Sequence, residues 1–225
     1  ACAEGEDQYL SQRSDPGRSD AMAAVFDAAL DIAGATGDDM DMLDIYSCFP
    51  CAVQAACEAL QVAASPTRPL TVTGGLPYFG GPGNNYVMHV IAEMTARLRG
   101  GRARGLITAN GGILSKHAAA VLCGAEAACE PPDWGEFQPP VLPPESFDAV
   151  PFSEDPTAGS VITYTVIAGR KTQDIGIVLG EDDNGARFLA SSTDAATTQA
   201  MLGASPVGRR VVVSNEQERN VFSFA

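Results

Sequence analysis

A chain of 225 residues, 45 % of them hydrophobic and with a mean hydropathy of +0.02, is long enough for one large domain or two modest ones and has the balance of a soluble globular protein. Its formal charge of -14 and pI of about 4.4 would repel a phosphate backbone or an anionic bilayer, which excludes nucleic acid and membrane as partners. No stretch approaches the roughly 18 apolar residues of a membrane span, and the opening ACAEGEDQYLSQRSDPGRSD lacks the basic region and apolar core of a secretory signal; a cytoplasmic protein is expected, with its six cysteines reduced and no structural disulfide.

That opening segment is polar and shows no strand pattern, so the chain reads as a piece of a longer protein. From Asp20 the helical period runs through Met22, Val25, Phe26, Ala29, Leu30 and Ala33, with Ser19 or Asp20 as N-cap and Gly34 as the stop. MLDIYS is a strand candidate that leads into a helix from Pro50, whose inner face is Val53, Ala56, Cys57 and Leu60. The β-branched run LTVT reads as extended and opens the glycine-rich GGLPYFGGPGNNY. A helix follows with Val87, Val90, Ile91, Met94 and Leu98 at helical spacing, ended by Gly100 and Gly101. RGLITANGG and HAAAVLCGAE are then a buried strand and its return.

Residues 130–151 are rich in proline and poor in apolar pattern, which suits a crossing between domains. The domain reading is therefore 1–130, a linker over 131–150, and 151–225. In the last segment SVITYTVIA, DIGIVLG, RFLAS, RRVVVS and NVFSF are short strands separated by turns, with one helix in DAATTQAML. They describe a small, mostly β barrel of about five strands, OB-like in type.

The pair Cys48 and Cys51 in DIYSCFPC has the C-x2-C spacing of a redox dithiol, and a helix start favours thiolate. A thioredoxin-type centre needs a strand-helix-strand unit ahead of the motif, which the polar opening does not supply. Zinc needs a second ligand pair, and Cys123, Cys129, His89 and His117 are not so spaced, so no metal is expected. For Cys51 and Cys57 the bland alternative is a small buried hydrophobe on a helix facing a sheet. The glycine-rich loop could present backbone amides to an anion or oxyanion, or simply allow close packing of helix on sheet; it has neither the P-loop ending nor dinucleotide-binding spacing. Asn84 and Asn85 read as caps of the next helix, and His89 falls off its apolar stripe.

Taken together, DIYSCFPCAVQ, LTVTGGLPYFGGPGNNYVMH and GLITANGG occur in the order and spacing of the C-terminal half of a thiolase. The chain resembles the SCP2-thiolase-like, acetyl-CoA acetyltransferase-like proteins of type 1 that carry an additional small C-terminal β domain. The fold implied is α/β: an incomplete thiolase C-terminal lobe, with a mixed sheet covered by helices, followed by the barrel. The activity implied is acyl-CoA acyl transfer in lipid metabolism, with a CoA thioester as substrate or ligand and no further cofactor. The partners implied are acyl-CoA, the N-terminal thiolase lobe that carries the nucleophilic cysteine, and a thiolase-type dimer mate or partner protein.

Matched to the family motifs H-D-C-F or N-E-A-F, G-H-P and C-x-G, Tyr46 stands where a histidine or asparagine polarises the oxyanion-hole water. Gly81 stands where the activating histidine belongs, and Asn110 where the second cysteine belongs, with Gly112 as its glycine. Cys48 matches the non-nucleophilic cysteine beside the site. Without that imidazole and that thiol, two acid/base groups worth about 10²–10⁴-fold each are gone, so altered or absent thiolase chemistry is expected. Oxyanion and acyl-CoA-binding material remains in Tyr46, Cys48, Gly80, Gly81, Asn84, Asn110 and Gly111. A tyrosine at position 46 also resembles thiolase-like aldolases that act on β-hydroxyacyl-CoA with a partner, and the two lost groups equally suit a non-catalytic acyl-CoA-binding or scaffold protein. An oligonucleotide-binding role for the barrel is disfavoured by its acidity.

Overall fold

In the computed structural model, residues 1–65, 67–127, 133, 135–217 and 219–225 are described. They form two compact units, one of residues 1–10 with 15–147 and the other of residues 11–14 with 148–225.

The first unit is built on a mixed sheet of five strands: β1 (Cys2–Glu6), β2 (Met42–Asp44), β3 (Arg104–Gly111), β4 (Lys116–Cys123) and β5 (Val141–Leu142). Their order across the sheet is β2-β3-β4-β1-β5. β2 runs parallel to β3, and β4 lies antiparallel to both β3 and β1. The polar opening is therefore a strand after all: Ala3 is buried while Glu4 and Glu6 face solvent, and pairing with β4 supplies what CAEGE lacks in propensity. β5, inside the proline-rich tract, pairs in parallel with β1.

Helix α1 (Asp20–Ile32) covers one face, packing on β1 and β4. Its N-cap is Ser19, whose hydroxyl accepts from the Met22 amide at 3.1 Å, and Met22, Val25, Phe26, Ala29 and Leu30 join Leu43, Ile45, Leu106, Ala119 and Val121 in the core. Helix α2 (Pro50–Ala59) packs beside α1, with Pro50 in its first turn. The glycine-rich loop contains a single helical turn, α3 (Leu76–Phe79). On the other face of the sheet α4 (Tyr86–Leu98) buries Val90, Met94 and Leu98 against Ile107. Tyr86 goes inside with them, while Val87 and Ile91 are only half-buried, so the inner stripe is rotated from the one the apolar residues alone suggest.

LTVT does not join the sheet. Its Leu70 carbonyl accepts from the Ile45 amide at 2.9 Å, but the amides of Val72 and Thr73 turn to the Asp44 carboxylate in place of a ladder partner. The reduced-thiol expectation holds for Cys2, Cys48, Cys51 and Cys57, but not for Cys123, which is disulfide-bonded; the expectation of no disulfide is overturned at the end of β4. Cys129 lies outside the described residues. Cys51 is exposed, because position two of α2 faces away from the sheet, whereas Cys57 is half-buried and its thiol is pushed up by desolvation.

The second unit is a closed barrel formed by β6 (Ala158–Ile167), β7 (Ile175–Glu181), β8 (Arg187–Ser192), β9 (Arg210–Glu216) and β10 (Arg219–Phe224), with α5 (Ala195–Gly203) between β8 and β9. Its strands follow the order β10-β8-β7-β6-β9. Val161, Val178, Phe188, Met201, Val211 and Phe222 fill its interior. Gly159 and Gly180 lie against the Phe188 ring, and a methyl group at either would overlap it. Among the described residues no helix is long and apolar enough to cross a membrane.

Candidate functional site

Because β2 and β3 are parallel neighbours, their chain exits lie at one edge of the sheet. Three successive residues after β2 are each fastened to a different neighbour. The Tyr46 amide donates to Thr108 Oγ1 at 3.1 Å, the Leu76 amide donates to Ser47 Oγ at 3.0 Å, and Cys48 Sγ donates to Asn110 Oδ1 at 3.1 Å. The first and third bonds hold the exit of β2 to β3, and the second holds it to α3.

Beneath this edge lies Asp44, fully buried, whose carboxylate accepts from the Val72 amide at 2.9 Å, the Thr73 amide at 3.4 Å, Thr73 Oγ1 at 3.2 Å and Tyr86 Oη at 3.2 Å. Burial raises the Asp44 pKa, with the backbone and hydroxyl donors pulling the other way. Burial, helped by the nearby Asp44 charge and opposed by the Thr73 hydrogen bond, pushes the Tyr86 phenol up to about 12. Asp44 thereby ties β2, the start of the glycine-rich loop and the first turn of α4 into one piece. A buried carboxylate held by four donors is a rigid anchor, since each bond shares the cost of keeping the group from water.

Side-chain alternation separates the expected site residues. The Tyr46 ring meets Tyr86 edge to face, with centroids 5.4 Å apart, on the α4 side of the sheet. Asn110 pairs in register with His117, whose Nε2 lies 3.0 Å from Ser19 Oγ at the α1 N-cap, and so belongs to the opposite side. Cys48 and Asn110 are brought together; Tyr46 and Asn110 share the edge but not a face. Gly80 and Gly81 are exposed, and Gly80 adopts a left-handed φ of 94° with open space where a Cβ would be. At Gly81 a Cβ would stand 3.4 Å from Leu76 Cδ2. Asn84 is exposed in the turn before α4, and Gly111 ends β3 half-buried.

Asn85 precedes α4 without capping it, because its amide nitrogen lies 3.2 Å from His89 Nε2 instead, and the His89 ring tilts onto Phe79 at 5.4 Å. Among the described residues no group of three or more His, Cys, Asp or Glu could hold a metal ion. Asp44, Ser47, Thr73, Tyr86 and Thr108 were not legible as site residues, although an aspartate ending an apolar strand in LDIYS is a signal: a buried carboxylate demands donors from whatever packs over it.

Two comparisons bear on this arrangement. Residues 145–218 match the family model described as the thiolase-like protein type 1 additional C-terminal domain. The whole chain superposes on a monomeric SCP2-thiolase like protein type 1 from Mycobacterium smegmatis, with a TM-score of 0.84 and 34 % identity, covering 100 % of this chain and 50 % of that one. The chain thus spans about half the length of that similar structure. No curated protein matches it.

Proposed function

Because the chain belongs to the thiolase-like proteins of type 1 that carry an additional C-terminal domain, we propose that it receives the thioester end of an acyl-CoA at the shared edge of β2 and β3, within an acyl-transfer or carbon-carbon bond enzyme of altered chemistry. The observation that supports this reading most is the Cys48–Asn110 hydrogen bond of 3.1 Å. It joins a group from the YSCF segment to one from the TANGG segment and leaves a thiol and an amide at the strand ends. The amide of Asn110 and the backbone of Gly111 are the donors available to a thioester oxygen on one face of this edge, and the Tyr46 hydroxyl is the donor on the other. The glycine-rich loop, anchored by Asp44 and Ser47, presents exposed Tyr78 and Phe79. A thiolase-type nucleophile would come from outside these residues, either a further lobe of the thiolase kind or a partner protein.

A second reading, acyl-CoA binding without turnover, is favoured by Gly81, which offers no imidazole. One experiment on the intact protein separates them: acetoacetyl-CoA and a β-hydroxyacyl-CoA are each titrated by calorimetry and then incubated for product. Binding with turnover that is abolished by Tyr46→Phe or Asn110→Ala supports the enzyme. Binding with no turnover of either thioester leaves the binding protein. Absence of binding removes both.

A further inference from the structure

A buried polar cluster of the first unit lies behind the candidate site. Asp7, Ser19 and His117 are 7, 8 and 3 % exposed, with Ser19 Oγ 2.5 Å from Asp7 Oδ2 and 3.0 Å from His117 Nε2. The residue types are those of a hydrolytic triad, but the wiring is not: the carboxylate lies on the hydroxyl rather than on the far side of the imidazole. A hydroxyl has one proton and two lone pairs, and a carboxylate can only accept. The Ser19 proton therefore goes to Asp7, one lone pair takes the Met22 amide at 3.1 Å, and the other is left for His117, which donates from Nε2. Ser19 is thus fully used and fixes the tautomer of the ring. His117 in turn stands directly opposite Asn110 in the ladder of β3 and β4, where facing side chains start about 5 Å apart.

Asp7 and Ser19 also flank an excursion of the chain. It leaves the first unit after Leu10, contributes residues 11–14 to the barrel unit and rejoins the first unit at Asp15. Within the barrel unit that segment is gripped twice: the Val150 amide donates to the Gln12 carbonyl at 2.7 Å, and Arg187 Nη2 donates to the Ser14 carbonyl at 3.3 Å. Arg187 is itself 7 % exposed and ion-paired with Glu181 at 3.1 Å, so its position is fixed. Little slack separates these grips from the cluster. Residues 10–12 form a 3-10 turn, and Asp15 closes a second turn, accepting from the Gly17 amide at 2.8 Å on its side chain and from the Arg18 amide at 3.2 Å on its carbonyl.

We propose that residues 8–18 are a strap through which the barrel sets the hydrogen bond from His117 to Ser19, with Ser19 and His117 acting as positioning residues for Asn110. Held at Gln12 and Ser14, the strap keeps the Ser19 hydroxyl under the ring. With the grips lost, the ring loses the partner that fixes its tautomer, and the Asn110 amide loses a neighbour of fixed polarity. The consequence for Asn110 rests on the thioester reading above; the strap itself does not.

Nitrogen-15 spectra of the imidazole rings, which separate the two tautomers, test this on the intact protein, with His117→Gln identifying the signal. In the wild type the His117 proton should sit on Nε2, and Ser19→Ala should give a mixture of tautomers. Arg187→Met, a change confined to the barrel unit, should move the His117 signals toward that mixture and weaken acetoacetyl-CoA binding by about 5-fold or more. Val150→Pro removes the other grip while leaving the buried arginine in place, and should act in the same direction. It decides the matter if hydrogen exchange across β7 shows that Arg187→Met has unfolded the barrel. A proton on Nδ1 in the wild type, or wild-type His117 signals in both barrel-unit variants, would overturn the proposal. Signals that move while affinity stays at the wild-type value would overturn the role assigned toward Asn110. Signals that move in a protein that binds no acetoacetyl-CoA would uphold the strap and remove the thioester reading.

Discussion

Asp44 and Tyr86 share a hydrogen bond, yet burial raises the pKa of each. For Tyr86 the sign is definite: the folded protein prefers the neutral phenol. That preference contributes stability below the unfolded value of 10.0 and is lost as pH rises through about 12. Thermal melts from pH 9 to 12 should therefore fall less steeply for Tyr86→Phe than for the wild type. The Asp44 preference has the same sense: its neutral form is favoured by folding, so that contribution is present below 3.8 and is lost as pH rises through the raised folded value. Removing the carboxylate altogether is a different matter, because Asp44→Ala strands the Val72 and Thr73 amides. A loss of about 1–3 kcal/mol is expected, seen as faster hydrogen exchange at those two amides than in α1. If their protection were unchanged, Asp44 would not be the anchor of the loop.

The glycine-rich loop shows at element scale how unequal its glycines are. Gly75 has φ of 78°, and a Cβ there would lie 2.6 Å from Ser47 Oγ, so Gly75→Ala should break the bond from Leu76 to Ser47 and open residues 76–85 to limited proteolysis. Gly81 has ordinary backbone, and its nearest neighbour is a flexible leucine methyl group, so Gly81→His should fold with a stability change within about 0.5 kcal/mol by chemical denaturation. The missing imidazole is thus not a demand of the local backbone. The apolar period of α1 was legible in the sequence because a single buried face dictates it; α4 was legible as a helix although its inner stripe is rotated toward Tyr86, and β3 as a continuous apolar run buried on both faces. β1 was not, since CAEGE becomes a strand only through β4, and that the extended LTVT stays out of the sheet was not either, because propensity does not register a competing carboxylate at Asp44. At the site YSCF and TANGG were legible as segments of interest, and the structure brings them together through Cys48 and Asn110, but the face each side chain takes was not legible. That face follows from strand alternation and from Tyr86, which lies 40 positions from Tyr46 in the chain yet touches its ring.

Across the whole molecule, the two compact units have separate cores, one under α1 and α4 and one inside the barrel. Phe188→Ala should cost the barrel about 3–5 kcal/mol, and hydrogen exchange should accelerate across β6–β10 while the amides of β3 and β4 keep their protection. Uniform acceleration in both units would show that the cores are coupled. The Phe188 ring has a further consequence for descent. Gly180 leaves room for that ring and for nothing more, so positions 180 and 188 form one inherited unit, whereas Gly159 is also held by the Glu181 backbone carbonyl and has no such partner to trade with. In relatives with this barrel, a larger residue at position 180 should occur together with a smaller one in place of phenylalanine, and a lineage changing one alone would pass through a barrel that cannot close. Counting those two positions jointly across an alignment would reveal that constraint as covariation, with position 159 staying glycine throughout.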